Sequence, residues 1–187
     1  MSNLVDKAFA KLQKLNSNAT TLEKNTLSNV TEWIDTGCLV LNSILSGSLY
    51  GGVPKGRITI FAGDSGCGKT FILNKILAHA QQKGMVPVIF DTEVAVENEG
   101  AENVGLDTSN VKYVPVDTVE NCRNQIMAFL DEVEKEPELH GKFIISIDSL
   151  GNLASEKEIN DANANKGAMD MGLRAKQLKS MMRIITY

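Results

Sequence analysis

At 187 residues, 43% hydrophobic and 22% charged, the chain has the composition of a soluble globular protein of one domain, or of one domain plus an arm. No apolar run approaches the roughly 20 residues of a membrane span, and the N-terminus lacks the apolar core of a secretory signal. Three widely spaced cysteines (Cys38, Cys67, Cys122) and two histidines (His79, His140) argue against a disulfide framework, a zinc cluster or a histidine metal site, leaving a reducing cytoplasm as the default.

The charge is unevenly spread. Residues 162–187 carry five basic side chains against Asp170 alone, a net +4, which leaves −8 on residues 1–161 of a chain whose total is −4. An acidic body with a basic end suggests a polyanionic partner.

In chain order, Leu4, Val5, Ala8, Phe9, Leu12 and Leu15 recur at helical spacing, and the polar run Asn16–Thr21 ends the pattern. Residues 1–30 therefore read as a helical arm and linker. A lone short helix cannot bury its own apolar face, so the arm either packs on its own domain or contacts a neighbouring subunit. The main body, residues 31–187, opens at Trp33–Gly37 and continues with a short helix over Cys38–Leu45. The turn-rich stretch Gly47–Arg57 then leads to an apolar run, Ile58–Ala62, that reads as a buried strand.

Directly after that run stands Gly63-Asp64-Ser65-Gly66-Cys67-Gly68-Lys69-Thr70, which is G-x-x-x-x-G-K-T, a phosphate-binding loop. Its glycines let backbone N–H groups curl around phosphate oxygens, and the N-terminus of the following helix adds a positive dipole end. Lys69 can reach the β and γ phosphates, and the Thr70 hydroxyl can ligate Mg²⁺. That helix should stop near Gly84. Strand Val86–Asp91, a short helix around Ala101–Leu106, strand Val111–Val116 and a helix capped by Asp117 or Thr118 and running to Lys135 follow. Strand Phe143–Asp148 closes the series, with Ser149 placed to cap what comes next. Alternating strands and helices predict an α/β fold with a mostly parallel sheet flanked by helices.

Two carboxylates complete the candidate site. Asp148 ends an apolar strand at the sheet edge that faces the phosphates, where it can bond a water on Mg²⁺ or Thr70. Glu93 leaves the neighbouring strand at the same edge and is the best-placed group to orient or deprotonate a water attacking the γ-phosphate, with Asp91 second.

Several motifs in series now resemble the core of RecA-type recombinases: Thr36-Gly37, Leu41-Asn42, Gly51–Arg57, the phosphate loop, Asp91-Thr92-Glu93 and Val104–Asp107. The run Ile147–Glu158 is very similar to the UvsX-type branch of that family in tailed phages, and Arg174-Ala175-Lys176, Lys179-Ser180 and Arg183-Ile184 fit it as well. The resemblance covers roughly residue 33 to the end. It implies an ATP- and Mg²⁺-dependent filament on single-stranded DNA that promotes homologous pairing and strand exchange in recombination and repair. Recombination mediators and single-strand-binding proteins are implied partners, and a cytoplasmic location, that of a host cell for a phage-encoded protein, follows. It also implies a first DNA loop near Asn160–Met171, with Asn163, Asn165, Lys166, Gly167 and Arg174 as DNA contacts. Lys176, Lys179 and Arg183 would then form a basic helix face, while Met181 and Met182 read as core.

Three departures from the family pattern stand out. Cys67 and Phe71 replace polar residues of the loop, no aromatic follows Glu93 to stack on adenine, and Glu97 is the remaining base contact. The family core continues with further strands, a second DNA loop and a γ-phosphate sensor, so the sequence reads as an N-terminal part that lacks the C-terminal strands. Such a part should expose a sheet edge and associate. Another RecA-fold motor or clock-type ATPase would share the nucleotide site, and a chain that only binds nucleotide or partner subunits is the non-enzymatic alternative.

Overall fold

The structure, a computed structural model, describes residues 2–25, 29–93, 98–164 and 171–186. It divides into two units, Met1–Thr31 and Glu32–Tyr187. In the first, α1 (Ser2–Leu15) leaves Leu4, Val5, Leu12 and Leu15 of its amphipathic pattern exposed. A 3₁₀ turn at Leu22–Lys24 follows it.

The second unit holds β1 (Trp33–Ile34), α2 (Leu39–Ser46), β2 (Val53–Pro54), α3 (Lys69–Gln82), β3 (Val86–Asp91), α4 (Asn98–Glu102), β4 (Lys112–Pro115), α5 (Val119–Lys135), β5 (Phe143–Asp148), α6 (Glu156–Asn163) and α7 (Met171–Ile185). The short strands β1 and β2 pair antiparallel. The main sheet is parallel, in the order β4-β3-β5, with Phe90 opposite Ile147 and Asp91 opposite Asp148.

Because side chains alternate along a strand, the sheet has two distinct faces. Val88 and Phe90 of β3 and Phe143, Ile145 and Ile147 of β5 join Cys122 and Ile126 of α5 and Met181 of α7 in one apolar core. Met181 is fully buried and Met182 packs beside it, while Lys176, Lys179 and Arg183 stay exposed. The methionines are core, and the basic residues form the opposite face of α7. On the other side of the sheet, α3 sends Ile72, Ile76 and Ala80 toward Ile34, Val53 and Phe61, and Leu73 and Leu77 toward Ile89 and α4. Ile144 of β5 packs against both groups.

Several boundaries are set by local chemistry. Thr118 caps α5 by accepting from the Asn121 N–H at 3.1 Å. Past α3, Gly84 takes φ +77°, which favours glycine and turns the chain into β3. The cap of α6 is Ser155, not Ser149: Ser155 and Glu158 form a reciprocal capping box, legible as S-x-x-E. The helix expected at Ala101–Leu106 sits earlier, at Asn98–Glu102, because Gly105 at φ +90° belongs to the turn that leaves it.

The larger correction concerns Ile58–Ala62, which is not a strand. No ladder forms along it, and Ile58 and Ile60 are 43% and 64% exposed, with Phe61 contributing to the core. A strand exists through its hydrogen-bonded neighbours, and an apolar run identifies a segment able to be buried without supplying the partner.

Candidate nucleotide site

The loop 63–70 turns into α3 through two glycines in the left-handed region, Gly66 at φ +76° and Gly68 at φ +88°. L-residues avoid that region, so these two positions require glycine for the chain to curl and start the helix at Lys69. The Lys69 ammonium donates to the carbonyl oxygens of Gly63, at 2.9 Å, and Asp64, at 2.8 Å. It thus holds the loop in a ring closed by its own lysine, and a phosphate oxygen would compete for the same donor. Asp64, Ser65 and Cys67 are exposed on the rim of that ring.

At the head of α3, the Thr70 hydroxyl donates to Asp148 Oδ2 at 2.8 Å, across 78 residues of sequence. Both are oxygen donors of the kind a hard divalent cation selects. Among the described residues no group of three or more His, Cys, Asp or Glu gathers as a metal cluster. A cation held here would therefore rest on few protein oxygens and complete its shell from water and phosphate, the habit of Mg²⁺. The residues present fit that ion.

Glu93 lies beside this pair and is exposed. Its Oε1 accepts from the Ser149 hydroxyl at 3.0 Å and from Asn152 Nδ2 at 2.8 Å. Two further bonds join the ends of β3 and β5: Thr92 Oγ1 accepts from the Ser149 N–H and donates to its carbonyl oxygen, both at 2.9 Å. The peptide between Asp148 and Ser149 is cis. Asp91, the second choice for activating water, is 1% exposed; Oδ1 accepts from the Glu93 N–H at 2.8 Å and Oδ2 from the Tyr113 hydroxyl at 2.9 Å. Its carboxylate shapes the turn that presents Glu93 and is closed to solvent. Burial and the adjacent Asp91 push the Tyr113 hydroxyl above its usual range.

The structure therefore brings Lys69, Thr70, Glu93 and Asp148 to one sheet edge. Asn163 ends α6 and is exposed, and Asn165, Lys166 and Gly167 lie outside the described residues, as does Glu97. Arg174 is engaged within the fold. Its guanidinium donates to the Leu153 carbonyl at 2.6 Å and also to the carbonyls of Leu150 and Gly151, which ties α7 to the segment leaving β5.

Residue-by-residue reading misses the roles of Ser149, Asn152 and Thr92. They are irregular-loop residues with no periodicity, and only contact across the sheet edge identifies them. A second polar device supports the approach to the loop. Buried Asn42 donates to Asp35 and to the Leu49 carbonyl, and accepts from both the N–H and the hydroxyl of Thr36. Every hydrogen-bonding group of that amide has a partner, and the Asn42 bond is the main reason the Asp35 carboxyl is held below its ordinary range.

The family model of the RecA N-terminal domain matches residues 3–187. The chain is 34% identical over 160 residues to the recombination and repair protein of Enterobacteria phage T4, covering 84% of this chain and 39% of that protein. It is 35% identical over 155 residues to the protein RecA of a Nitratiruptor species, covering 83% of this chain and 41% of that one. For the protein RecA of a Clostridium botulinum strain the figures are 33% over 162 residues, 87% and 42%. The chain thus spans about two fifths of the length of the curated relatives it matches. With its phosphate loop, strand-end carboxylate and parallel sheet in the matched region, the chain belongs to the RecA family, through that family's N-terminal domain.

Proposed function

We propose that this chain supplies the nucleotide site of an ATP-dependent DNA recombinase, which binds single-stranded DNA as a filament and promotes homologous pairing and strand exchange in the cytoplasm. The observation that carries the reading is the Thr70–Asp148 contact of 2.8 Å with Glu93 anchored by Ser149, the residue next to Asp148. That arrangement supports hydrolysis in addition to binding.

In this reading the loop N–H groups and the α3 N-terminus receive the phosphate oxygens, and Lys69 exchanges its bonds to Gly63 and Asp64 for the β and γ phosphates. Thr70 and Asp148 would hold Mg²⁺, which when bound would supply screening of the negative charge on the phosphate oxygens. Glu93 orients the attacking water and takes its proton on the carboxylate, while Ser149 and Asn152 keep that carboxylate from swinging away. The basic face of α7 and the segment around Asn163, Asn165, Lys166 and Gly167 provide the DNA side, with Arg174 holding α7 in place. Mediators and single-strand-binding proteins are further partners of this reading.

The test is ATP turnover by the intact protein with and without single-stranded DNA. Stimulation by DNA, abolished by Glu93→Gln, is expected. Equal turnover with and without DNA would point to another RecA-fold ATPase, and absence of nucleotide binding would remove the site altogether.

A further inference from the structure

Beneath the Thr70–Asp148 pair lie two buried polar atoms that the nucleotide reading leaves unused. Asn74 is 6% and Ser146 is 7% exposed, and neither Asn74 Oδ1 nor Ser146 Oγ has a hydrogen-bond partner among the described residues. Unpaired buried polar groups are costly in a protein interior and native structures seldom retain them without an occupant.

The fold places the two residues at one level of one interface. Asn74 stands one turn after Thr70 on α3, between Leu77 and Ala78 around the helix and inside its buried arc. Ser146 stands two residues before Asp148 on β5, so both project from the same face of the strand. That face looks toward α3, because Ile144 packs against both apolar groups of α3 and Ile89, the register partner of Ser146, packs with Leu77. Four residues of helix rise about 6 Å and two residues of strand advance about 6.6 Å. With Thr70 and Asp148 in contact, the next step down α3 and back along β5 therefore brings Asn74 alongside Ser146.

We propose that Asn74 and Ser146 hold one ordered water beneath the Thr70–Asp148 pair, and that this water positions the Asp148 carboxylate. The water accepts from the Ser146 hydroxyl, donates to Asn74 Oδ1, and directs its second hydrogen to Asp148. Three polar partners are what a buried water typically makes. Asp148 Oδ2 already takes the Thr70 hydroxyl, and a second donor from below fixes the rotation of the carboxylate, as outer-shell groups do for metal ligands. Asn74 and Ser146 are thus positioning residues, acting on the site through Asp148. The inference rests on the proposed nucleotide reading for its functional half and on burial alone for its structural half.

Two matched variants test both halves in the intact protein. Ser146→Thr and Ser146→Val have the same shape and differ only in the hydroxyl. Without nucleotide, Ser146→Val is expected to melt below Ser146→Thr, because a held water loses a partner. A higher melting temperature for Ser146→Val would mean that the hydroxyl was bare, and would overturn the water. With ATP, the Mg²⁺ concentration that half-saturates nucleotide binding should be about tenfold higher in Ser146→Val than in Ser146→Thr, the low end for loss of an outer-shell partner. Mg²⁺-free ATP affinity should be the same in both. Equal Mg²⁺ dependence would overturn the positioning role. Asn74→Leu is expected to match Ser146→Val, and agreement with Ser146→Thr would count against the proposal. Wild type lacking any Mg²⁺-dependent ATP binding would defeat the nucleotide reading itself, a result separate from equality of the two variants.

Discussion

The two faces of the sheet use the same strands differently. The face covered by α5 and α7 is apolar throughout, from Val88 and Phe90 across to Cys122, Ile126 and Met181, with Phe129 and Phe143 in an edge-to-face contact at 4.9 Å. The face covered by α3 becomes more polar toward the sheet's C-terminal edge: Ile144 is followed by Ser146 opposite Ile89, then by Asp148 opposite Asp91. One residue of strand separates the two environments. Both sides carry apolar packing, but only the α3 side ends in the polar groups of the proposed site, so substitutions on each side should change different measurements.

That division can be broken most directly at its extremes. Glu93→Gln should lower turnover by about 10²- to 10⁴-fold, the range for loss of a general base, with nucleotide affinity and melting temperature unchanged. A matching fall in stability would show that Glu93 is a structural brace for Ser149 and Asn152. Phe90→Ala should cost about 3–5 kcal/mol in denaturant unfolding, as for a large aromatic removed from a core. Retention of wild-type stability would mean that the α5/α7 face does not carry the fold. Lys69→Ala removes charge-assisted bonds worth about 1.5–3 kcal/mol each and should weaken ATP binding by at least tenfold. Unchanged affinity would detach the loop from phosphate.

Smaller effects sharpen the same contrast. Thr118→Ala deletes the α5 cap and should destabilise by about 1 kcal/mol without affecting ATP binding, measured by paired melts and titrations. Burial pushes the Cys122 thiol from its ordinary 9.0 up to about 11. Its folded form therefore resists ionisation, so stability is intact below pH 9 and falls as the unfolded thiol ionises between pH 9 and 11. At neutral pH, exposed Cys38 and Cys67 should alkylate readily and Cys122 only on unfolding. Fast labelling of all three would show that the apolar face is open.

Much of this architecture is legible in the sequence. Strands β3 and β5 fall where predominantly apolar runs end in Asp91 and Asp148, the mark that strands inside a parallel sheet leave in sequence. The loop and its two carboxylates are equally readable as candidates, because each residue type suits a specific task with phosphate, cation or water. Ile58–Ala62 is not, since its apolar run carries no information about a partner strand. Ser149, Asn152, Asn74 and Ser146 are also silent: small polar residues have meaning only through what faces them.

By itself, then, the sequence determined a candidate site, a phosphate-loop motif followed by Glu93 and Asp148 at strand ends, and the alternation that makes an α/β fold. Only the tertiary structure decided which side chains meet: Thr70 with Asp148, Glu93 with Ser149 and Asn152, Asp91 sealed beneath Tyr113, and Arg174 turned inward onto backbone carbonyls. The physical reason is range. Propensity, periodicity and loop chemistry act over a few residues, whereas these contacts join groups tens of residues apart that come together when the sheet aligns its strand ends.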